Sequence, residues 1–352
     1  MRTQEELKSL VKMLCADDID YLVDYLPSLK KSKSSNHQII NRERTEIVCP
    51  FCKSIRCVKN GTTQYNRQKY YCKECKKSFS DTSNSIVFKS KYTYDQWIKF
   101  IDCELHNYSL VEESNKVGIS ESTAFLWRHK LYESIANVKK GIILSGKIEI
   151  DGKYYSINLK GTKPEKMPRM SKKRSSSAYR GISHHKICVL SAVDENDNML
   201  FEIVGLGPES NEMMKEIEGK ITNCTVLVSD GKFAYQTYCK EHKCINEMVK
   251  SGTYSNENKY NLATINGLHS ELENDFKCRR GISTKHLQGY LDMFLFKKIL
   301  RYTTDIGLRD IITYNKSVPS QTKKYIKDIF EQALPVDLYQ AYGEYNFGIL
   351  KK

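Results

Sequence analysis

The stretch "GKIEIDGKYYSI", Gly146–Ile157, alternates with a period of two. Lys147, Glu149 and Asp151 fall on one face and Ile148 and Ile150 on the other, which is the pattern of a strand that buries one side. A second strand-like run, "TVLVSDG", Thr225–Gly231, is nearly all apolar up to Asp230. Both aspartates precede glycine, and Asp-Gly is also a favoured hairpin-turn dipeptide, so local sequence alone reads both as turns. The strand pattern running up to each aspartate, in a basic chain, favours instead two carboxylates at a strand interior or end.

Between these runs, "HKICVLSAVDENDNMLFEIVG" gives two strands around a turn at Asp194–Asn198, and "SNEMMKEIEGKI" is helical; "FAYQTYCKEH" after Asp230 is helical again. The order is strand, hairpin-connected pair, helix, central strand, helix. That succession is what an α/β domain of the ribonuclease-H-like class requires. Adjacent strands can then bring Asp151 and Asp230 together. Two carboxylates a few ångströms apart repel unless a divalent cation neutralises them, so magnesium or manganese is the expected occupant.

The whole chain has 56 Lys and Arg against 42 Asp and Glu, a formal charge of +14, which favours a polyanionic partner, nucleic acid first. No apolar run approaches the length of a membrane span and the N-terminus "MRTQEELKSL" is charged, so a cytoplasmic, nucleoid-associated protein is expected. Twelve cysteines in such a chain point to metal ligation or buried thiols and not to disulfides. Their spacing separates the two: Cys49-Pro-Phe-Cys52 and Cys72-Lys-Glu-Cys75 are paired knuckles able to set four thiolates around one zinc ion. Cys57, outside both, reads as a core thiol. From Lys53 to Lys77 the module carries eight Lys or Arg against the single acid Glu74, which suits contact with DNA phosphates.

Five segments follow from these patterns: residues 1–45, helical and then a polar linker; 46–82, a zinc ribbon; 90–140, helical; 145–301, the α/β domain; and 302–352, a C-terminal extension. Within 90–140 a tight turn at Val117-Gly118-Ile119 and an N-cap at Ser120 predict a helix-turn-helix. Its recognition helix would run from Glu121 to about Ile135, with Phe125, Leu126 and Leu131 inward and Arg128, His129 and Lys130 outward. A plain three-helix bundle is the alternative. The loop Leu159–Lys186 has nine Lys or Arg against Glu165, and Lys172, Lys173, Arg174 and Arg180 are expected along DNA phosphates, as are Arg128 and Lys130.

Four stretches, "DGKYYSINLKG", "KMPRMSKKRSSSAYRGISHHKICVLSAVDENDN", "LVSDGKFAYQ" and "INGLHSELENDFKCRRGISTKHLQGYLDMFLFK", together resemble the catalytic domain of bacterial insertion-sequence transposases of the Merlin/ISXO group. The resemblance spans roughly residues 5–301 and implies a zinc ribbon, a DNA-binding helical segment and a ribonuclease-H-like domain that cuts and joins DNA at transposon ends with divalent metal. It implies Asp151 and Asp230 as catalytic metal ligands. At the third position many relatives have glutamate and one branch has asparagine followed seven residues later by lysine; here those positions are Asn266 and Glu273, so the second charge is reversed.

Helix geometry places Ile265, Leu268, Leu272 and Phe276 on one apolar stripe and Asn266, His269 and Glu273 along its edge, with Glu271 pointing away into solvent. Asn266 and His269 are about 4.5 Å apart along the axis and Glu273 about 10 Å from Asn266, too far for all three to hold one ion. Asn266 is the expected metal-proximal residue. His269 is a candidate for phosphate contact or proton transfer, alongside an ordinary satisfied helix histidine. The expected partners are transposon ends and target DNA, with a homodimer or higher assembly to synapse the ends. Two other readings are a DNA-binding protein with a decayed or domesticated catalytic domain and a structure-selective nuclease.

Overall fold

The computed structural model describes residues 47–64, 68–162, 182–300 and 323–338, apart from single positions 81, 84, 89, 137, 184, 251 and 280. The expected N-terminal helical segment, the basic-loop residues Lys172, Lys173, Arg174 and Arg180, and residues 302–322 and 339–352 lie outside this set. The chain divides into two compact units, Met1–Ser83 and Asn84–Lys352.

In the first unit, β1 (Cys57–Thr62), β2 (Gln68–Cys72) and β3 (Ser78–Ser80) form an antiparallel sheet in sequence order. The two cysteine knuckles share one backbone design. Cys49 donates its N–H to the Ser54 carbonyl at 2.8 Å, and Cys72 donates to Lys77 at 3.0 Å. The residue after each second cysteine is left-handed, Lys53 at φ 62° and Lys76 at φ 54°. A lysine in that conformation is disfavoured by roughly 1 kcal/mol, and the hydrogen bond that closes each turn offsets this. Beneath the knuckles, Tyr70 and Phe79 stack at 5.5 Å. Cys57 is half-buried against this small core.

The second unit opens with α1 (Tyr94–Leu105), α2 (Leu110–Val117) and α3 (Glu121–Ile135). Thr93 with Gln96 and Ser109 with Glu112 form capping boxes, Gly118 ends α2 in the left-handed region at φ 73°, and Ser120 caps α3. The turn and helix bounds are those the sequence predicts. The expected outward face of α3 is not. Arg128 is 1% exposed and His129 and Lys130 each 7%, because α1 and α2 pack against the helix together with two later helices, Leu287–Leu300 and Lys323–Phe330. Of the Arg128 and Lys130 contacts expected with DNA, neither is presented at the surface.

Arg128 instead ties the bundle together. It pairs with Glu104 of α1 and, at 2.6 Å, with Glu113 of α2, and donates to the Tyr108 carbonyl at 3.0 Å. Arg279 reaches the same Glu104 at 2.8 Å. Trp97 and Trp127 stack at 3.6 Å beside this network, within a core that also takes Tyr290, Met293, Phe296 and Ile329.

The mixed α/β part is a five-stranded sheet, β4 (Leu144–Ser156), β5 (Lys186–Asp194), β6 (Met199–Leu206), β7 (Ile221–Ser229) and β8 (Ile245–Met248), in the order β6-β5-β4-β7-β8. The first three strands pair antiparallel, and β7 and β8 run parallel to β4. One face packs Ile148, Ile150 and Leu190 on α4 (Asn211–Glu218) and α5 (Phe233–His242). The other packs Ile187, Val189 and Phe201 on α6 (Ala263–Cys278) and α7 (Leu287–Leu300). The C-terminal extension contributes α8 (Lys323–Phe330), whose Phe330 stacks on Phe125 of α3 at 5.2 Å. Among the described residues no helix is long and apolar enough to cross a membrane.

Candidate active site

Two parallel strands deliver the carboxylates. Glu149 of β4 lies opposite Val228 of β7, so two residues further along each strand Asp151 and Asp230 reach the same level. Asp230 follows the last residue of β7, where Gly231 turns the chain at φ +83° and Met248 occupies the place of a Cβ. Gly152 is different: it lies inside β4 without a left-handed φ, and a Cβ there would stand 1.9 Å from Glu209 Oε1. The two Asp-Gly pairs thus have separate causes, one a turn and one the close approach of a buried side chain.

Burial, and after it the charge of Asp230, pushes the Asp151 carboxyl up to about 6, with Lys232 opposing. Burial is the larger cause and the neighbouring carboxylate the second. Hard oxygen donors at one level of two adjacent strands suit magnesium or manganese, so the chemistry of Asp151 and Asp230 fits a divalent cation.

Helix α6 is docked to β4 by Glu149. The helix begins after Leu262 with no side-chain cap of its own, and the buried Glu149 carboxylate accepts from Ile265 N at 3.0 Å and Thr264 Oγ1 at 2.9 Å. A strand carboxylate thereby serves as the helix cap and meets the positive end of its dipole. This seats His269 beside the site, its Nδ1 3.6 Å from Asp151 Oδ2. Burial, then the charge of Lys153, lowers the His269 pKa to about 4, against Glu273, so the ring is neutral near neutral pH. Its Nε2 is enclosed without a hydrogen-bond partner, and a neutral imidazole in this state can accept a proton or a donor.

Asn266, one turn earlier, is exposed, as is Glu273 one turn later. Glu273 forms an ion pair with Lys153 of β4, so the reversed charge noted in the sequence meets an ammonium from the neighbouring strand. Glu271 is not simply solvated as expected: it pairs with Lys298, because α7 runs alongside that flank of α6.

A further group escaped sequence reading. Glu209, whose side chain is fully buried, accepts from Lys232 Nζ at 2.8 Å, from Tyr235 Oη at 3.1 Å and from the Tyr154 hydroxyl. Lys232 Nζ also lies 3.0 Å from Asp230 Oδ2 and donates to Tyr154 Oη at 3.0 Å. Glu209 sits between β6 and α4 with no periodic pattern around it; the only cue available was the position of Lys232 two residues beyond Asp230.

In the first unit the donor atoms of Cys49, Cys52, Cys72 and Cys75 all lie within 4.8 Å of one another, with Sγ pairs at 3.6 Å (Cys49 and Cys75) and 3.5 Å (Cys52 and Cys72). Tetrahedral zinc with thiolates at about 2.3 Å sets neighbouring sulfurs roughly 3.8 Å apart, so this group can hold such an ion. The N–H of Cys75 aimed at Cys72 Sγ lowers that thiol to about 6 against the effect of burial, and the N–H of Glu74 assists.

Residues 143–298 match the family described as the ISXO2-like transposase domain. A curated relative, an uncharacterized protein in transposable element ISH50 of Halobacterium salinarum, is 21% identical over 275 residues, covering 77% of this chain and 92% of its own length.

Proposed function

From a chain whose residues 143–298 carry an ISXO2-like transposase domain, we propose a DNA transposase that binds the ends of an insertion sequence and carries out metal-dependent strand cleavage and strand transfer. The observation that carries this reading is the arrival of Asp151 and Asp230 at one level of two adjacent parallel strands, each carboxylate acting on the other. The strand order, with three antiparallel strands followed by two parallel ones, supports a ribonuclease-H-like fold for the domain. When bound, magnesium or manganese supplies Lewis-acid stabilisation of the attacking and leaving oxygens of an in-line phosphodiester displacement.

The chain's own residues divide the remaining work. Asp151 and Asp230 are the ligands, with Asn266, on the exposed edge of α6, as the third and neutral one. We assign His269, whose ring lies against Asp151, to contact with the scissile phosphate or to proton transfer. Glu273 and Lys153 act as a matched pair that fixes α6 on β4. That compensation weakens the reading of the domain as a decayed one, which rested partly on the reversed charge at Glu273. The four cysteines hold structural zinc, and the basic ribbon together with the loop containing Lys172, Lys173, Arg174 and Arg180 contacts DNA phosphates. Synapsis of two ends calls for a homodimer or larger assembly in the cytoplasm.

The test is incubation of the purified chain with DNA carrying the flanks of its own coding region. Cleaved and joined products are expected with magnesium or manganese and not with EDTA. Binding without cleavage under every divalent condition would refute the proposal, and cleavage of branched DNA without joining would favour a nuclease.

A further inference from the structure

We propose that Lys232 is a built-in cation of the active site, which neutralises Asp230 in the metal-free protein and competes with the incoming divalent ion for that carboxylate. The inference rests on the assignment of Asp151 and Asp230 as metal ligands.

Lys232 is the residue just before α5, and it brackets Asp230 from two sides. Its backbone N–H lies 3.4 Å from Asp230 Oδ1, and its Nζ 3.0 Å from Asp230 Oδ2. An ammonium has three N–H donors. Here they have three acceptors: Asp230 Oδ2, Glu209 Oε1 at 2.8 Å and Tyr154 Oη at 3.0 Å. A lysine on a free surface would spread its donors over water; this one has a protein acceptor for each of the three.

The fixing is built into the fold. Glu209 is buried, takes a further bond from Tyr235, and lies over β4 in space that any Cβ at Gly152 would fill. The strand therefore gives up a side chain beside Asp151 to admit the carboxylate that holds Lys232. Structural anchoring of α5 alone would not require the ammonium to end on Asp230.

The charge count explains the arrangement. Asp151, Asp230 and Glu209 against Lys232 leave two formal negative charges, the complement of one divalent cation. Glu273 is balanced by Lys153. Without Lys232, three carboxylates would face one another in the empty protein. With it, the pocket is stable before loading, and a divalent ion must displace or share the ammonium's contact with Asp230 Oδ2. Lys232 thus sets the metal affinity of the site, and once displaced its tethered ammonium is free for the anionic oxygens of bound DNA.

The experiment is a manganese titration of the full chain, free Mn2+ being read by its paramagnetic resonance signal, on the wild type and on K232M and K232R, with D151N and D230N as controls. K232M is expected to bind Mn2+ about tenfold more tightly or better, since a positive charge within contact distance is removed. K232R is expected to stay near the wild type. In EDTA, K232M is expected to melt at a lower temperature than the wild type and to gain more on adding Mn2+. Equal or weaker Mn2+ binding by K232M, while D151N and D230N lose it, would overturn the role of Lys232 and leave the metal site standing. Mn2+ binding unaffected in D151N and D230N would overturn the metal assignment and the inference with it.

Should K232M not fold, lysine ammonium NMR of the wild type, assigned by the signal missing in K232R, decides the matter. A slowly exchanging Lys232 resonance in EDTA that moves on adding Mg2+ is expected; an unchanged resonance would overturn the proposal.

Discussion

Gly152→Ala should destabilise the second unit strongly, although alanine in place of glycine inside a strand ordinarily stabilises by roughly 0.5–1 kcal/mol. The added Cβ would stand 1.9 Å from Glu209 Oε1, 2.6 Å from its Cδ and 3.1 Å from Tyr154 Oη. Glu209 must therefore move, and its side chain has no solvent to move into. Moving it breaks the bonds from Lys232 at 2.8 Å and Tyr235 at 3.1 Å, together with that from Tyr154. Hydrogen bonds to a charged group are worth roughly 1.5–3 kcal/mol each. Loss of two of them, less the glycine gain, predicts a net cost of about 2–5 kcal/mol. Urea unfolding followed by tryptophan fluorescence is a suitable assay, because Trp97 and Trp127 are the chain's two tryptophans and both lie in the second unit's core. Glu209→Ala in the Gly152→Ala background should cost far less than the sum of the two single changes, since the clash is removed with the carboxylate. A Gly152→Ala protein as stable as the wild type, or more so, would refute the reasoning.

Other consequences can be checked on the same unfolding curves. Burial, and then Glu104, raises the Glu113 carboxyl, whereas Arg128 and Arg279 overcome burial to hold Glu104 down, so the pair carries its negative charge on Glu104. Arg128→Met should therefore cost about 3–5 kcal/mol by removing the Arg128 donor from buried Glu113 and from the Tyr108 carbonyl, although Arg279 still pairs with Glu104, and Glu113→Gln less than about 1 kcal/mol; equal costs would contradict this charge assignment. His286 is 4% exposed, and burial lowers its pKa to about 4. Its unfolded value is near 6.5, so the neutral form's contribution is present above pH 6.5 and is lost as pH falls toward about 4, up to roughly 3 kcal/mol. His286→Gln should flatten that acid limb, and an unchanged acid limb would count against it. Reversing the ion pair with Lys153→Glu and Glu273→Lys together should recover most of the stability lost by either single change; two independent losses would show that the pair does not couple.

The cysteine knuckles, the alternation of Gly146–Ile157 and the turn at Gly118 were legible because each is a local pattern that fixes local geometry. The outward face of α3 was misjudged for a physical reason. Periodicity separates faces only when one of them meets solvent, and α3 is enclosed on nearly every side past its first turn, so Arg128 is a core residue satisfied by Glu104 and Glu113. Lys153 with Glu273, Lys298 with Glu271 and Lys232 with Glu209 were illegible because each joins residues far apart in sequence. Glu149 was read only as part of a polar face, yet it caps a helix more than a hundred residues later. The edge of α6 was drawn correctly, but the distance that matters, His269 to Asp151, depended on that cap.

The most direct measurement of the central claim is strand transfer by D151N and D230N, with magnesium, on DNA bearing the flanks of the coding region. Both variants should retain DNA binding and lose cleavage and joining. Full activity in either would contradict the assignment of this carboxylate pair as the catalytic centre.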